Sequence, residues 1–354
     1  MTIPTLGEEL AAAQALGGLV FRLQLGGELL RVTGADAPAW LQANLSQDLE
    51  PLTPGHGARS LLLDAKAAVL ADMVVLRTRE GFLLVADADP GRPLAEELER
   101  RVFRENVQLR SLEGAAEQLS LGGTGAADFL RERLSVDALP VALHAHAEAE
   151  LAGWPVRVLR SRSLGVPGWD LLFDPSCGPQ DPAAAAQGEG AAGALRGLFL
   201  ALDAAGARRL SAQSVEALRL AAGQLRREPD LQRVLPQEAG LLPEAVSVAK
   251  GCYPGQEVVM RQHSRGKPRW RPQLVAGEGD PPSPGSAVED AEGASAGWVS
   301  SAAHVPPPAA PGFLALVFVK AERPREGALR LRAEGEAPAR PLELREPLPF
   351  PLSP

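Results

Sequence analysis

Apolar residues recur along the chain at two spacings, and the switches between them mark out the elements. Alternation bounded by turn residues predicts strands at Leu19–Leu25 and Glu28–Val32, with Gly26-Gly27 between them signalling a tight hairpin. Ala58–Leu63, Val69–Arg77 and Gly81–Ala86 read as a meander, the first two joined through Asp64-Ala65-Lys66. Val107–Ser111, Glu117–Leu121, Trp154–Ser161 and Gly168–Phe173 also have strand character. Helical spacing predicts helices over Glu8–Leu16, Ala37–Gln47, Pro93–Phe103, Ala126–Leu134 and Ser211–Gly223, with Leu195–Ala205 as a further segment. Asp36 sits where an N-cap belongs and Pro38 in a first turn. Strands followed by helices, linked by hairpins and not crossovers, predict antiparallel α+β modules.

The pattern changes beyond Arg271. Short strand signals at Trp270–Val275, Gly297–Ser300, Phe313–Val319, Ala328–Leu331 and Arg340–Leu344 alternate with Pro/Gly-rich connections. That is the signature of a small antiparallel barrel or sandwich, and it puts a domain boundary near Arg271.

Composition narrows the function classes. The chain has 354 residues, enough for two or three cores, and 36 glycines and 32 prolines make any single glycine weak evidence. A net charge of −8 argues against broad affinity for nucleic acid or anionic membranes. Cys177 and Cys252 are the two cysteines, too few for a disulfide framework and without zinc spacing. No apolar run reaches spanning length and the N-terminus lacks a basic region, so a soluble cytoplasmic protein is expected. The stretch Asp181–Ala194 is Ala/Gly-rich and reads as a loop or frayed helix.

Lys250-Gly251-Cys252-Tyr253-Pro254-Gly255-Gln256-Glu257 holds the densest chemistry. A lysine beside the thiol and a helix starting near Gln256 would both favour the thiolate of Cys252. The plainer alternative is a tight turn around a small semi-buried cysteine. Lys250 either acts on the thiol, pairs with a ligand carboxylate, or is a solvated loop lysine. Gln256 and Glu257 either open the helix or contact a ligand. Arg261, His263, Arg265, Lys267, Arg269 and Arg271 form a basic run that either meets an anionic ligand tail or acidic client, or blunts a strand edge. Asp72 lies inside an apolar strand, so its carboxylate is either on the open face or buried with a partner. Trp40 and Trp169 are core residues or stacking platforms. Gly122-Gly123-Thr124-Gly125 lacks the full dinucleotide fingerprint.

The Lys250–Glu257 string, with Leu235-Pro236-Gln237-Glu238-Ala239-Gly240-Leu241 upstream, resembles the signature of the folate-binding YgfZ family, related to the glycine-cleavage T-protein, an aminomethyltransferase. The resemblance extends through Asn44–Val74, Leu218–Gly223 and Gly285–Phe318. It implies an α+β fold of two ferredoxin-like modules with antiparallel sheets and a C-terminal antiparallel β-barrel, arranged as a three-lobed ring. In that arrangement residues 1–270 form the folate-binding region, with 50–135 as an inserted module, and 271–354 the barrel. A monomer is expected.

The resemblance implies tetrahydrofolate, or a one-carbon derivative of it, as cofactor. Asp72, Asp170, Arg219, Gln256, Glu257 and Arg261 are its expected contacts, and Cys252 with Lys250 the reactive pair. The implied role is support of iron–sulfur cluster assembly or repair in client enzymes, including radical enzymes that modify tRNA, with no direct nucleic-acid contact and no metal site in the chain itself. The alternative is tetrahydrofolate-dependent aminomethyl or methyl transfer. Ala71 and Ala221 stand where T-proteins have carboxylates, and T-proteins lack the cysteine, which favours the accessory role.

Overall fold

The two strands expected to form the first hairpin belong to different sheets. β1 (Val20–Gln24) pairs with β7 (Glu117–Gly122) and with the short β12 (Arg208–Arg209), whereas β2 (Gly27–Thr33) pairs with β5 (Phe82–Asp87) and β6 (Gln108–Ser111). Their apolar faces explain the separation. Val20 enters a core shared with the C-terminal barrel, while Leu30 and Val32 face the helices of their own sheet. The computed structural model that shows this describes residues 18–24, 27–87, 89, 91–112, 117–173, 190–305, 312–325, 327–332 and 339–347. The expected helix over 8–16, Gly26, Cys177 and most of the 181–194 stretch lie outside the described residues.

The five-stranded sheet has the order β3-β4-β5-β2-β6, where β3 is Gly57–Leu63 and β4 is Val69–Arg77, so the expected meander forms. Its strands span 27–111, against an expected inserted module over 50–135. Helices α1 (Ala37–Asn44) and α2 (Leu94–Glu99) cover one face, with Ala37, Trp40, Leu41, Leu94 and Leu98 packed on Met73, Val75 and Leu84. Pro occupies the first turn of α1, but the Asp36 carboxylate accepts from the Asn106 N–H (2.7 Å) and not from the helix.

The seven-stranded sheet has the order β12-β1-β7-β11-β10-β9-β8, with β8 at Leu134–Ser135, β9 at His146–Leu151, β10 at Trp154–Ser161 and β11 at Gly168–Phe173. Helices α3 (Ala126–Arg133) and α4 (Gly190–Ala204) cover its outer face. The uncovered faces of the two sheets meet through Leu29, Leu76 and Leu83 on one side and Leu159 and Leu172 on the other.

The C-terminal lobe is a closed antiparallel barrel, β13-β16-β15-β14-β17-β18. These strands are β13 (Trp270–Glu278), β14 (Ala287–Asp290), β15 (Ser295–Val305), β16 (Gly312–Lys320), β17 (Leu329–Leu331) and β18 (Arg340–Arg345). Helix α5 (Ala212–Ala221) starts at Ser211, whose hydroxyl accepts from the Ser214 N–H (3.1 Å), and packs Val215 and Leu218 into a core with Leu61, Leu63, Leu316 and Phe318. That core joins all three lobes. Among the described residues no helix is long and apolar enough to cross a membrane.

Candidate functional site

Strand alternation builds the site. In β4, Met73 and Val75 pack under the helices, so Asp72 and Val74 point to the opposite face, between the sheets. In β11, Trp169, Leu171 and Phe173 face α3 and α4, which sends Asp170 and Leu172 the other way. The inter-sheet face is apolar where the leucines meet and opens elsewhere into a cavity of about 450 Å³. Asp72, Asp170 and Arg219, three of the expected folate contacts, all line it. A larger cleft of about 840 Å³ lies between β2 and β9–β10, but none of the expected site residues borders it.

Asp72 is held by Arg59, whose Nε and Nη2 donate to its two carboxylate oxygens at 2.9 and 2.6 Å. Arg59 also pairs with Glu244 at 3.2 Å, and Glu244 in turn pairs with Arg162 from the β10–β11 loop. One carboxylate thus bridges guanidiniums from both sheets. Asp170 is buried and accepts from Ser163 Oγ at 2.7 Å. Burial pushes its carboxyl above the usual range, against hydrogen bonds from Ser120, Ser163, Ser161 and Gln118 that hold it down.

Arg219 reaches the cavity wall with its donors engaged inside the chain. It bonds both oxygens of Glu216 (3.0 and 2.7 Å), Asp230 (2.8 Å), Ser301 Oγ (2.8 Å) and the Gln224 carbonyl. Burial opposes its charge, but Glu216 and Asp230 outweigh it and hold the guanidinium pKa up. These two residues supply the negative charge that Ala221 does not.

The Cys252 loop lies outside this cavity. Cys252 is an exposed free thiol. Lys250 turns its ammonium to the end of α1, donating to the carbonyls of Gln42, Leu45 and Gln47 at 2.6, 2.6 and 2.9 Å. Burial pushes its pKa down to about 8, against the pull of Asp48 and Glu50. A cation at a helix C-terminus satisfies carbonyls that the helix leaves unpaired. Helix α6 (Gln256–Arg265) begins where expected, with Glu257 in its first turn and Arg261 exposed along it. Gln256 Nε2 donates back to the carbonyls of Lys250 and Gly251, both at 3.3 Å. Gly255 has a φ of 79°, and a Cβ there would lie 2.5 Å from the Asp64 carbonyl, so only glycine lets the loop dock on the β3–β4 turn. The start of the basic run is therefore helical, and a strand begins only at Trp270.

Neither tryptophan lines the cavity. Trp40 donates to the Arg101 carbonyl (3.1 Å) and Trp169 to the Pro140 carbonyl (2.9 Å), both inside helix-covered cores. Sequence reasoning missed Arg59, His144, Arg162 and Glu244. Arg59 carried a readable signal, a charge in the same alternation as Leu61 and Leu63; the other three lie in loops.

Two histidines near the sheets are kept neutral. Burial, then Arg162 and Arg59, push His144 down to about 3; burial and Arg157 push His146 down to about 4, partly opposed by backbone hydrogen bonds and Glu148. Below the ordinary value of 6.5 the unfolded chain takes up protons that the folded chain refuses. Stability is therefore full above that pH and falls as pH drops towards 4, by up to about 1.4 kcal/mol per pH unit for each histidine. Urea unfolding of the wild type between pH 7 and 5 is expected to show this slope. His146→Gln is expected to flatten it, and an unchanged slope would remove His146 from the account.

Comparisons with known proteins agree with this architecture. The aminomethyltransferase of Saccharopolyspora erythraea is 28% identical over 169 residues, covering 48% of this chain and 46% of that protein. That of Streptomyces coelicolor is 25% identical over 272 residues, covering 76% and 69%. The chain thus spans about half the length of several curated relatives it matches. The crystal structure of glycine cleavage system aminomethyltransferase T from Bartonella henselae superposes with a TM-score of 0.78 at 21% identity, covering 96% of this chain and 88% of that one, which shows a shared fold. Residues 27–241 match the model of the GCVT N-terminal domain, and the chain belongs to that family.

Proposed function

We propose that the chain binds a reduced folate in the central cavity and acts in tetrahydrofolate-dependent transfer of an aminomethyl or methyl group. The observation that carries this reading is the meeting of Asp72 and Asp170, from two separate sheets, in one cavity of drug-like size. The amide and exocyclic amine of a pterin present paired N–H donors, which match the two acceptor oxygens of a carboxylate. Asp72, oriented by Arg59, supplies such acceptors, and Asp170 supplies a carboxyl that burial inclines to keep its proton. Bound tetrahydrofolate would provide the nitrogen that accepts the one-carbon unit. The relatives named aminomethyltransferase support this reading over the accessory role.

The exposure of Cys252 supports a second reading, an accessory role for iron–sulfur client enzymes of the kind the YgfZ resemblance implies. Its thiol lies on a loop tied down by Lys250 and Gln256 and open to a partner protein.

Two measurements separate the readings. Titration of the purified chain with 5-formyltetrahydrofolate is expected to show saturable binding, and tetrahydrofolate-dependent aminomethyl release is expected to be equal in wild type and Cys252→Ser. Absence of binding would remove the folate reading. If turnover is absent, and only wild type restores the activity of an iron–sulfur tRNA-modifying enzyme in cells lacking the protein, the accessory role replaces the transferase.

A further inference from the structure

Of the nine buried side-chain polar atoms without a partner among the described residues, four lie on the central cavity. Both ring nitrogens of His144, Nε2 of Gln224 and Nε of Arg227 are buried and have no hydrogen-bond partner among the described residues. All three residues line the cavity. They come from separate parts of the chain, His144 from the loop entering β9 and the other two from the stretch after α5. Buried donors and acceptors in folded proteins are nearly always paired, so an unpaired set on one cavity marks groups whose partner is something that enters it.

His144 is the most informative of them. Its position is set by its backbone: the N–H donates to the Arg160 carbonyl at 3.0 Å, and φ is 66°. The ring contributes no hydrogen bond to the fold, unlike His146, whose ring bonds the Arg77 carbonyl and Arg157. A neutral imidazole carries one N–H and one acceptor nitrogen. In a wall that also carries several guanidiniums and carboxylates, it is suited to an uncharged polar group.

We propose that His144 is a ligand-binding residue of the central cavity, its ring hydrogen bonding to an uncharged heterocyclic edge of the bound molecule, with the Gln224 amide as a second donor. The inference rests on the folate reading for its ligand and deepens it: His144 and Gln224 select for an amide-like edge, while the charged residues of the wall take charged or amine-bearing groups.

The test uses the full chain and two readouts, the ligand-free melting temperature and the affinity for 5-formyltetrahydrofolate measured by calorimetry. In His144→Phe no intramolecular hydrogen bond is lost. The ligand-free melting temperature is therefore expected to fall by no more than the backbone cost of placing Phe at a φ of 66°, which His tolerates better. The affinity is expected to fall about tenfold, the scale of one hydrogen bond left unmade on binding. Gln224→Leu is expected to behave likewise. His144→Asn keeps a donor and an acceptor on a residue type that tolerates positive φ, and is expected to recover part of the affinity. Affinity of His144→Phe within about twofold of wild type would overturn the inference. So would melting temperature and affinity falling together in His144→Asn or Gln224→Leu, which carry no added backbone cost, since that is the mark of a structural residue. A wild type that binds no reduced folate would overturn the folate reading itself, and the first titration shows this before any variant is made.

Discussion

On the proposed transferase reading, replacing Asp72 by asparagine is expected to lower tetrahydrofolate-dependent turnover on the order of a hundredfold, the upper end of what one hydrogen bond to a charged group is worth. Asparagine keeps the shape and one carbonyl acceptor for Arg59, and Glu244 remains as a second anion for that guanidinium. What is lost is the second acceptor and the charge facing the cavity. The melting temperature should therefore move little while turnover collapses. Steady-state kinetics and thermal unfolding on the same preparation check this. Turnover within about tenfold of wild type would demote Asp72 to a partner of Arg59.

Asp230→Ala is expected to have the largest effect on folding, a loss of about 3–5 kcal/mol. The Asp230 side chain is fully buried beside Arg219, which is 5% exposed. One of its oxygens accepts from Arg219 and the Arg226 N–H, the other from the hydroxyls of Ser300 and Ser301 on β15. The carboxylate therefore ties α5 and the cavity wall to the barrel. Without it Arg219 keeps only Glu216 as counter-charge and two buried hydroxyls lose their acceptor, so the cost is that of a charge left buried. Urea unfolding reports the difference. A loss under about 1 kcal/mol would mean that water enters and replaces the carboxylate.

The contrast between these residues shows what local sequence conveys. β10 and β11 run over the residues expected from their patterns, because apolar runs bounded by Arg162–Gly165 and Pro167 have no other way to bury both faces. The meander β3-β4-β5, the start of α6 and the strand-rich C-terminal lobe follow from equally local signals. Gly26-Gly27 misled because a tight turn is a local preference, whereas the sheet a strand joins depends on distant apolar faces. The family resemblance carried the three-lobed arrangement. Neither period nor composition could have supplied it.

At the site, the sequence by itself determined that Asp72 is an acid inside an apolar strand and left open whether its carboxylate is exposed or buried with a partner. It also fixed the exposed thiol's setting between Lys250 and a helix start. The fold turns Asp72 inward, onto the cavity. Tertiary structure alone decided the partners. Arg59 and Glu244 are 185 positions apart, and Arg162 joins them from a third segment, so no spacing rule connects them. The same holds for Lys250, which the string places beside Cys252 but whose ammonium the fold commits to carbonyls more than 200 positions earlier. Alternation sets which way a side chain points, but its charge acquires a partner only where two sheets and a loop converge and exclude water from the space between them.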